Sequence, residues 1–148
     1  MHEMEQHNYP KYMKHTDELK QAGLKSTAPR LKILELLEST RDRHLSAEDV
    51  YKIMLDNGEG IGLATIYRVL TQFEAAGLVL RHHFAERSVF ELADTDHHDH
   101  MVCVECVEII EFHDDTIEKQ QITIAKHHKF EIHNHSLCLY GKCSNCQR

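Results

Sequence analysis

No run of apolar residues in this chain is long enough to cross a bilayer. Its opening stretch, MHEMEQHNYPKYMKH, is polar and lacks the apolar core of a secretion signal. These two absences predict residence in the cytoplasm, where thiols stay reduced. Internal repeats and low-complexity tracts are also missing, which excludes a repeat array. Positive charge is scarce: 17 Lys and Arg face 24 Asp and Glu, for a net charge of -7. That balance argues against a protein that binds nucleic acid with its whole surface.

What is present is more specific. Hydrophobic residues make up 41% and charged residues 28% of 148, a soluble globular composition sized for one ordinary domain or two small ones. Charge is unevenly spread. Residues 1–92 hold 12 basic against 14 acidic side chains, and residues 93–148 hold 5 against 10. Lys11, Lys14, Lys20, Lys25, Arg30 and Lys32 give the stretch 11–32 a local excess. A basic edge on an acidic body suits a chain that meets phosphate with one segment and cations with another, although a solvated helix face has the same pattern.

Four of the five cysteines form two identical pairs, Cys103-x-x-Cys106 and Cys143-x-x-Cys146. In a reducing compartment this repeated spacing predicts a closed tetrahedral Zn²⁺ site rather than disulfides. Four protein ligands leave no open position for chemistry, so the zinc is structural. Cys138 lies in an alternating apolar stretch and is expected as a small packed residue.

The pattern of elements is α+β: an N-terminal winged helix-turn-helix domain followed by a small α/β dimerisation domain. Residues 1–15 read as a flexible tail, 16–93 as the winged helix and 94–148 as the metal-binding dimerisation domain. Short helical periodicity from Asp17 ends at Gly23, and Pro29 opens a second helix. Ser46 caps a third, with Val50, Tyr51, Met54 and Leu55 at helical spacing. A fourth runs from about residue 64 to 76, burying Leu63, Ile66, Val69, Leu70 and Phe73. Residues 78–84 and 88–92 form a hairpin around Ala85-Glu86-Arg87. Further on come strands at 100–104 and 109–112, a helix at 114–127 and a strand at 131–140.

If the apolar stripe of the fourth helix packs inward, Thr65, Tyr67, Arg68, Thr71 and Gln72 face outward together. Arg can fork onto guanine, and Thr and Tyr can reach phosphates or thymine methyls, so this face fits a recognition helix in double-stranded DNA. The 14 histidines cluster as well. In the strand-like run His97-His98-Asp99-His100, alternation sends His98 and His100 one way and His97 and Asp99 the other. One tetrapeptide thereby seeds two N/O metal sites, suited to Fe²⁺, Zn²⁺, Mn²⁺ or Co²⁺. His2, His7, His15, His82, His83, His127 and His128 are expected at the surface.

The stretches AGLKSTAPRLKILELLE, HLSAEDVYK, IGLATIYRVLTQFEAAGLV, SVFEL, HHDHMVCVEC and EIIEF resemble the ferric uptake regulator family over about residues 17–146. The resemblance implies an iron-responsive repressor, not an enzyme. It would bind operator DNA as a metallated homodimer and control iron-uptake genes, with tetramers of paired dimers left open. It assigns structural Zn²⁺ to Cys103, Cys106, Cys143 and Cys146. It assigns a regulatory site for Fe²⁺ to His44, Glu91, His98 and His100, where Mn²⁺, Co²⁺ or Zn²⁺ can substitute. An additional site falls on His97, Asp99, Glu118 and His135. Lys25 resembles a minor-groove lysine, and Tyr67 and Arg68 resemble major-groove readers beside Thr65. Two positions depart from the pattern: Val107 stands where the family often has Gly, and Ala85-Glu86-Arg87 replaces a frequent Gly-Gly. A zinc, manganese or peroxide sensor on the same scaffold is the alternative; from other classes come a metal-dependent hydrolase and a zinc-stapled interaction module without regulation.

Overall fold

The computed structural model of the chain describes residues 11–42, 44–84, 86–93 and 96–148. The chain divides into two compact units, Met1–Asp94 and Thr95–Arg148. No helix among the described residues is long and apolar enough to cross a membrane.

The first unit begins with α1 (Lys11–Gln21), which starts earlier than the tail boundary at residue 15 that composition suggests. His15 and Leu19, one turn apart, anchor this helix. Leu19 is fully buried, and His15 is also buried, with Nε2 2.7 Å from Glu38 Oε2. His15 was expected at the surface, but its partner lies 23 residues away, where no local pattern announces it. Gly23, at φ 78°, ends the turn as expected, and Leu24 N–H returns to the Leu19 carbonyl at 2.8 Å.

Helix α2 (Ala28–Ser39) has Thr27 at its N-cap and Pro in its first turn, and buries Ile33, Leu34, Leu36 and Leu37. Helix α3 (Ala47–Asp56) opens with a reciprocal capping box: Asp49 N–H donates to Ser46 Oγ, and Ser46 N–H donates to Asp49 Oδ2. Helix α4 (Leu63–Ala75) turns Ile66, Val69, Leu70 and Phe73 inward. Leu63, expected in the buried stripe, is 40% exposed, and Leu55, at helical spacing with Val50 and Met54, is 57% exposed. Leu63 is the first residue of α4, and Leu55 lies in the last turn of α3.

Gly77, at φ 77°, releases the chain into an antiparallel hairpin of β1 (Val79–Phe84) and β2 (Arg87–Leu92). Arg87, expected in the turn, already pairs with Phe84, and its guanidinium bonds to Asp49 and Ser46 of the α3 cap. Ala85 lies outside the described residues. A bridge between Leu45 and Phe90, with bonds of 3.1 and 2.8 Å, ties the strand-like lead-in to α3 against β2. The packed helices α2, α3 and α4, with α1 against α2 and the hairpin after them, make this a winged helix-turn-helix.

The second unit is a three-stranded sheet in the order β4-β3-β5 with one helix. β3 (Asp99–Cys103) is central, antiparallel to β4 (Ile109–Phe112) and parallel to β5 (Cys138–Gly141). Helix α5 (Asp115–His127), capped by Asp114, lies in the connection that a parallel pair needs. The expected strand at 131–140 shrinks to its last few residues. The chain must first return from the end of α5, turning at Lys129 with φ 52°, before it can run beside β3. Few apolar groups are buried in this unit, namely Val102, Cys103 and Ala125, while Met101, Ile122, Ile124, Phe130, Leu139 and Tyr140 are exposed.

Val107 adopts φ 65°, a left-handed conformation that disfavours a β-branched residue. The turn after the second cysteine therefore keeps the shape glycine would give it, at a local cost of about 1–2 kcal/mol. Val107→Gly should raise stability by about 1 kcal/mol after the greater freedom of unfolded glycine is counted. Denaturant melts of the zinc-loaded chain measure this, and a less stable glycine variant refutes the account.

Candidate metal centres and nucleic-acid interface

The cysteine set is assembled within the second unit. Cys103 ends β3, Cys106 follows in a tight turn, and Cys143 and Cys146 follow β5. Their sulfurs all lie within 4.8 Å of one another, with Cys106 and Cys143 3.7 Å apart. A tetrahedron with metal–sulfur bonds of about 2.3 Å has edges of about 3.8 Å, so the cage fits zinc. Backbone N–H groups of Cys106 and Cys143, helped by Glu105, lower the Cys103 thiol to about 6 against the opposing effect of burial. The neighbouring thiols of Cys143, Cys103 and Cys106 push Cys146 far up. Sulfurs this close cannot all ionise without a cation, and Cys146 keeps its proton, so metal capture releases protons. Cys138, the fifth, is half-buried on β5 and outside the cage.

A second cluster in the same unit joins β3, α5 and the approach to β5. His97 Nε2 lies 3.4 Å from Asp99 Oδ1 and 3.6 Å from Glu118 Oε1, and His135 Nε2 lies 3.1 Å from Glu118 Oε2. Asp99 is fully buried, yet neither of its carboxylate oxygens has a hydrogen-bond partner. A buried carboxylate without partners costs several kcal/mol unless a cation neutralises it. This buried carboxylate, without a hydrogen bond and grouped with two imidazoles and a second carboxylate, fits a divalent ion.

The four residues assigned to regulation are divided between the units. In the first, His44 Nε2 lies 2.9 Å from Glu91 Oε2. The Leu45–Phe90 bridge puts His44 next to β2, which carries Glu91. The other oxygen, Oε1, meets His82 Nε2 at 2.6 Å. His82, expected at the surface, is largely buried and stacks on Phe84. In the second unit, His98 and His100 have ring centroids 4.8 Å apart. His98 Nδ1 binds the Asp96 carbonyl at 2.8 Å, which turns Nε2 toward Glu111 Oε1, 3.5 Å away. Sequence reasoning missed both His82 and Glu111. Glu111 stands directly across from His100 in the β3–β4 register, and that register was its only available signal.

On α4, Tyr67, Arg68 and Thr71 are exposed and Thr65 is half-buried, as the outward face requires. Lys25 is exposed in the turn before α2. Gln72 is drawn inward instead: Arg30 forks onto its Oε1 at 2.9 and 3.3 Å and also holds the Lys25 carbonyl at 2.9 Å. Arg30 thus fixes the Lys25 turn against the reading helix.

The model of the "Ferric uptake regulator family" matches residues 21–140. The chain belongs to that family. It is 55% identical over 136 residues to the ferric uptake regulation protein of Legionella pneumophila, covering 91% of this chain and all of that one. Among solved structures, the Vibrio cholerae ferric uptake regulator superposes with a TM-score of 0.83 at 57% identity, covering 86% and 98% of the two chains. The Helicobacter pylori regulator, described as having three functional metal-binding sites, superposes at 0.82 with 25% identity, covering 93% and 92%. Like the rest of the family, this chain is a transcriptional repressor with metal-binding sites, and the hydrolase alternative falls away.

Proposed function

We propose that this repressor responds to iron, binding operator DNA as a metallated homodimer in the cytoplasm and controlling iron-uptake genes. The observation that carries the reading is the pair of half-sites. His44, Glu91 and His82 converge in the first unit, and His98, His100 and Glu111 converge in the second. Imidazole and carboxylate donors without a thiolate suit Fe²⁺, and admit Mn²⁺, Co²⁺ or Zn²⁺. His44 and Glu91 of the first unit and His98 and His100 of the second would hold the divalent ion, which would supply the positive charge that these donors call for. His44 and Glu91 are held by β2 and its bridge, His100 by β3, and His98 just before that strand by its bond to the Asp96 carbonyl. Gathering these donors fixes how each winged helix is presented to DNA.

Two copies are needed because the half-sites on DNA lie about 34–36 Å, or a multiple, apart. The second unit supports a homodimer: it buries little core of its own and exposes Ile122, Ile124, Phe130, Leu139 and Tyr140. Metal and DNA favour the same conformation, so each tightens the other equally, by about 5–150-fold for about 1–3 kcal/mol of coupling. Zn²⁺ in the cysteine cage stabilises the second unit, and His97, Asp99, Glu118 and His135 form a further site. Together with the divided set these make three, the number described for the Helicobacter pylori relative.

Tyr67, Arg68 and Thr65 enter the major groove and Lys25 the minor groove. Arg68→Ala should relax base preference at one operator position by about 1–3 kcal/mol. Equal losses on operator and random duplexes would assign Arg68 to phosphate instead. The function is tested by titrating DNA binding of the zinc-loaded chain with Fe²⁺, Mn²⁺ and Zn²⁺ under anaerobic conditions. Activation by Fe²⁺ in the micromolar range or below is expected. Activation by Zn²⁺ alone identifies a zinc sensor, and equal affinity without added metal removes the switch.

A further inference from the structure

Arg81 lies on β1, directly across from Phe90 on β2. Its guanidinium carbon is 4.9 Å from the centroid of the Phe90 ring and 5.5 Å from that of Tyr67. One terminal nitrogen donates to Thr71 Oγ1 at 3.1 Å, and the other reaches the Tyr67 hydroxyl at 3.5 Å. Nε faces Glu74 Oε2 at 3.2 Å. Residues 67, 71 and 74 follow one another up a single face of α4, four and three positions apart. The Arg81 side chain is only 19% exposed, so its charged head is largely withdrawn from water.

Two N–H groups of the fork find partners in Tyr67 and Thr71, while Nε, buried and without a hydrogen bond, stands beside the Glu74 carboxylate. Thr71 gives its own hydroxyl proton to the Tyr67 carbonyl at 2.9 Å, leaving a lone pair for Arg81. Glu74 neutralises the guanidinium, so Arg81 offers little free charge to a phosphate. Tyr67 itself is 45% exposed, and Arg81 touches both its ring and its hydroxyl. A planar, preorganised fork holds such geometry in a way that a lysine ammonium does not.

We infer that Arg81 is a positioning residue for DNA reading: it clamps the Tyr67 ring and the Thr71 hydroxyl in the orientation that α4 presents to base edges. The inference rests on the reading of α4 as the DNA-contacting helix. On this account the wing hairpin serves recognition from behind, through the reading helix.

Two variants test it. Arg81→Met keeps the apolar stem and removes the fork, and Arg81→Lys keeps the charge without the fork. The probes are a duplex selected from a random pool by the Mn²⁺-loaded wild-type chain and an unselected duplex of equal length. Both variants should lose about tenfold or more on the selected duplex and little on the unselected one, with the salt dependence unchanged. In a Tyr67→Ala background, Arg81→Met should cost almost nothing further. An unchanged preference ratio overturns the proposal. So do additive losses in that cycle, or equal losses on both duplexes with the salt slope reduced by about one, which marks a phosphate contact. The Tyr67 ring signals in the DNA-free protein give a separate readout: hindered ring flipping in the wild type, and fast averaging in Arg81→Met. Fast averaging in the wild type overturns the clamp. A hindered ring in a protein that selects no preferred duplex overturns the DNA role of α4 and leaves the clamp standing.

Discussion

Cys103→Ser should yield a chain without bound zinc, without an ordered second unit and without a dimer. Among the described residues, the unit buries Val102, Cys103 and Ala125 as its only fully enclosed apolar groups. Roughly fifty residues with so little enclosed apolar surface do not fold on hydrophobic burial alone. Structural zinc contributes about 10–16 kcal/mol of apparent binding energy in small domains at neutral pH, and most of that is folding energy. Backbone N–H groups of Cys106 and Cys143 lower the Cys103 thiol to about 6. It is a thiolate at neutral pH, whereas a serine hydroxyl in the same place remains protonated and binds zinc poorly. Metal analysis, circular dichroism and sedimentation report the three losses separately. A zinc-free variant that stays fully dimeric would refute the structural role.

Glu91→Ala should abolish metal-dependent DNA binding while leaving zinc content and dimerisation intact. The carboxylate is 2% exposed and stands between His44 and His82, one oxygen to each. Its removal deletes a charged donor and leaves two imidazoles without their common partner. If Glu91 coordinates the ion as proposed, its loss should exceed the 10–100-fold effect typical of residues that merely orient ligands. His98→Ala removes a donor from the other unit and should act in the same direction. Fluorescence anisotropy with labelled DNA, with and without Mn²⁺, makes the comparison. A Glu91→Ala protein that still tightens on DNA when metal is added would place the switch elsewhere.

The cysteine cage was legible because two-residue spacing repeated in one chain has few other uses in a reducing compartment. The split of His97 and Asp99 from His98 and His100 was legible because extended backbone alternates, although only Asp99 and His100 of the four lie in β3. The inward stripe of α4 followed from helical period. What escaped depended on pairings between distant segments. His82 and Glu111 have no local signature; they matter because β1 and β4 bring them beside Glu91 and His98. His15 escaped for the same reason, since Glu38 reaches it from another helix. Helix α1 begins early because of that contact, and β5 begins late because a parallel strand can pair only after the crossover has returned. Arg81 has no local signature either; the hairpin folds it against three side chains of α4.

Strand β3 and the two residues before it carry His97, His98, Asp99, His100 and Cys103. Donors for three separate candidate centres are thus threaded on one short segment, sorted only by which side of the ribbon they occupy. Adding or deleting a single residue there would transpose every one of them at once. Chain length between 97 and 103 is therefore held more rigidly than the identity of the spacers, Met101 and Val102, and a frame-preserving indel there should be far more damaging than one in the 128–137 return loop.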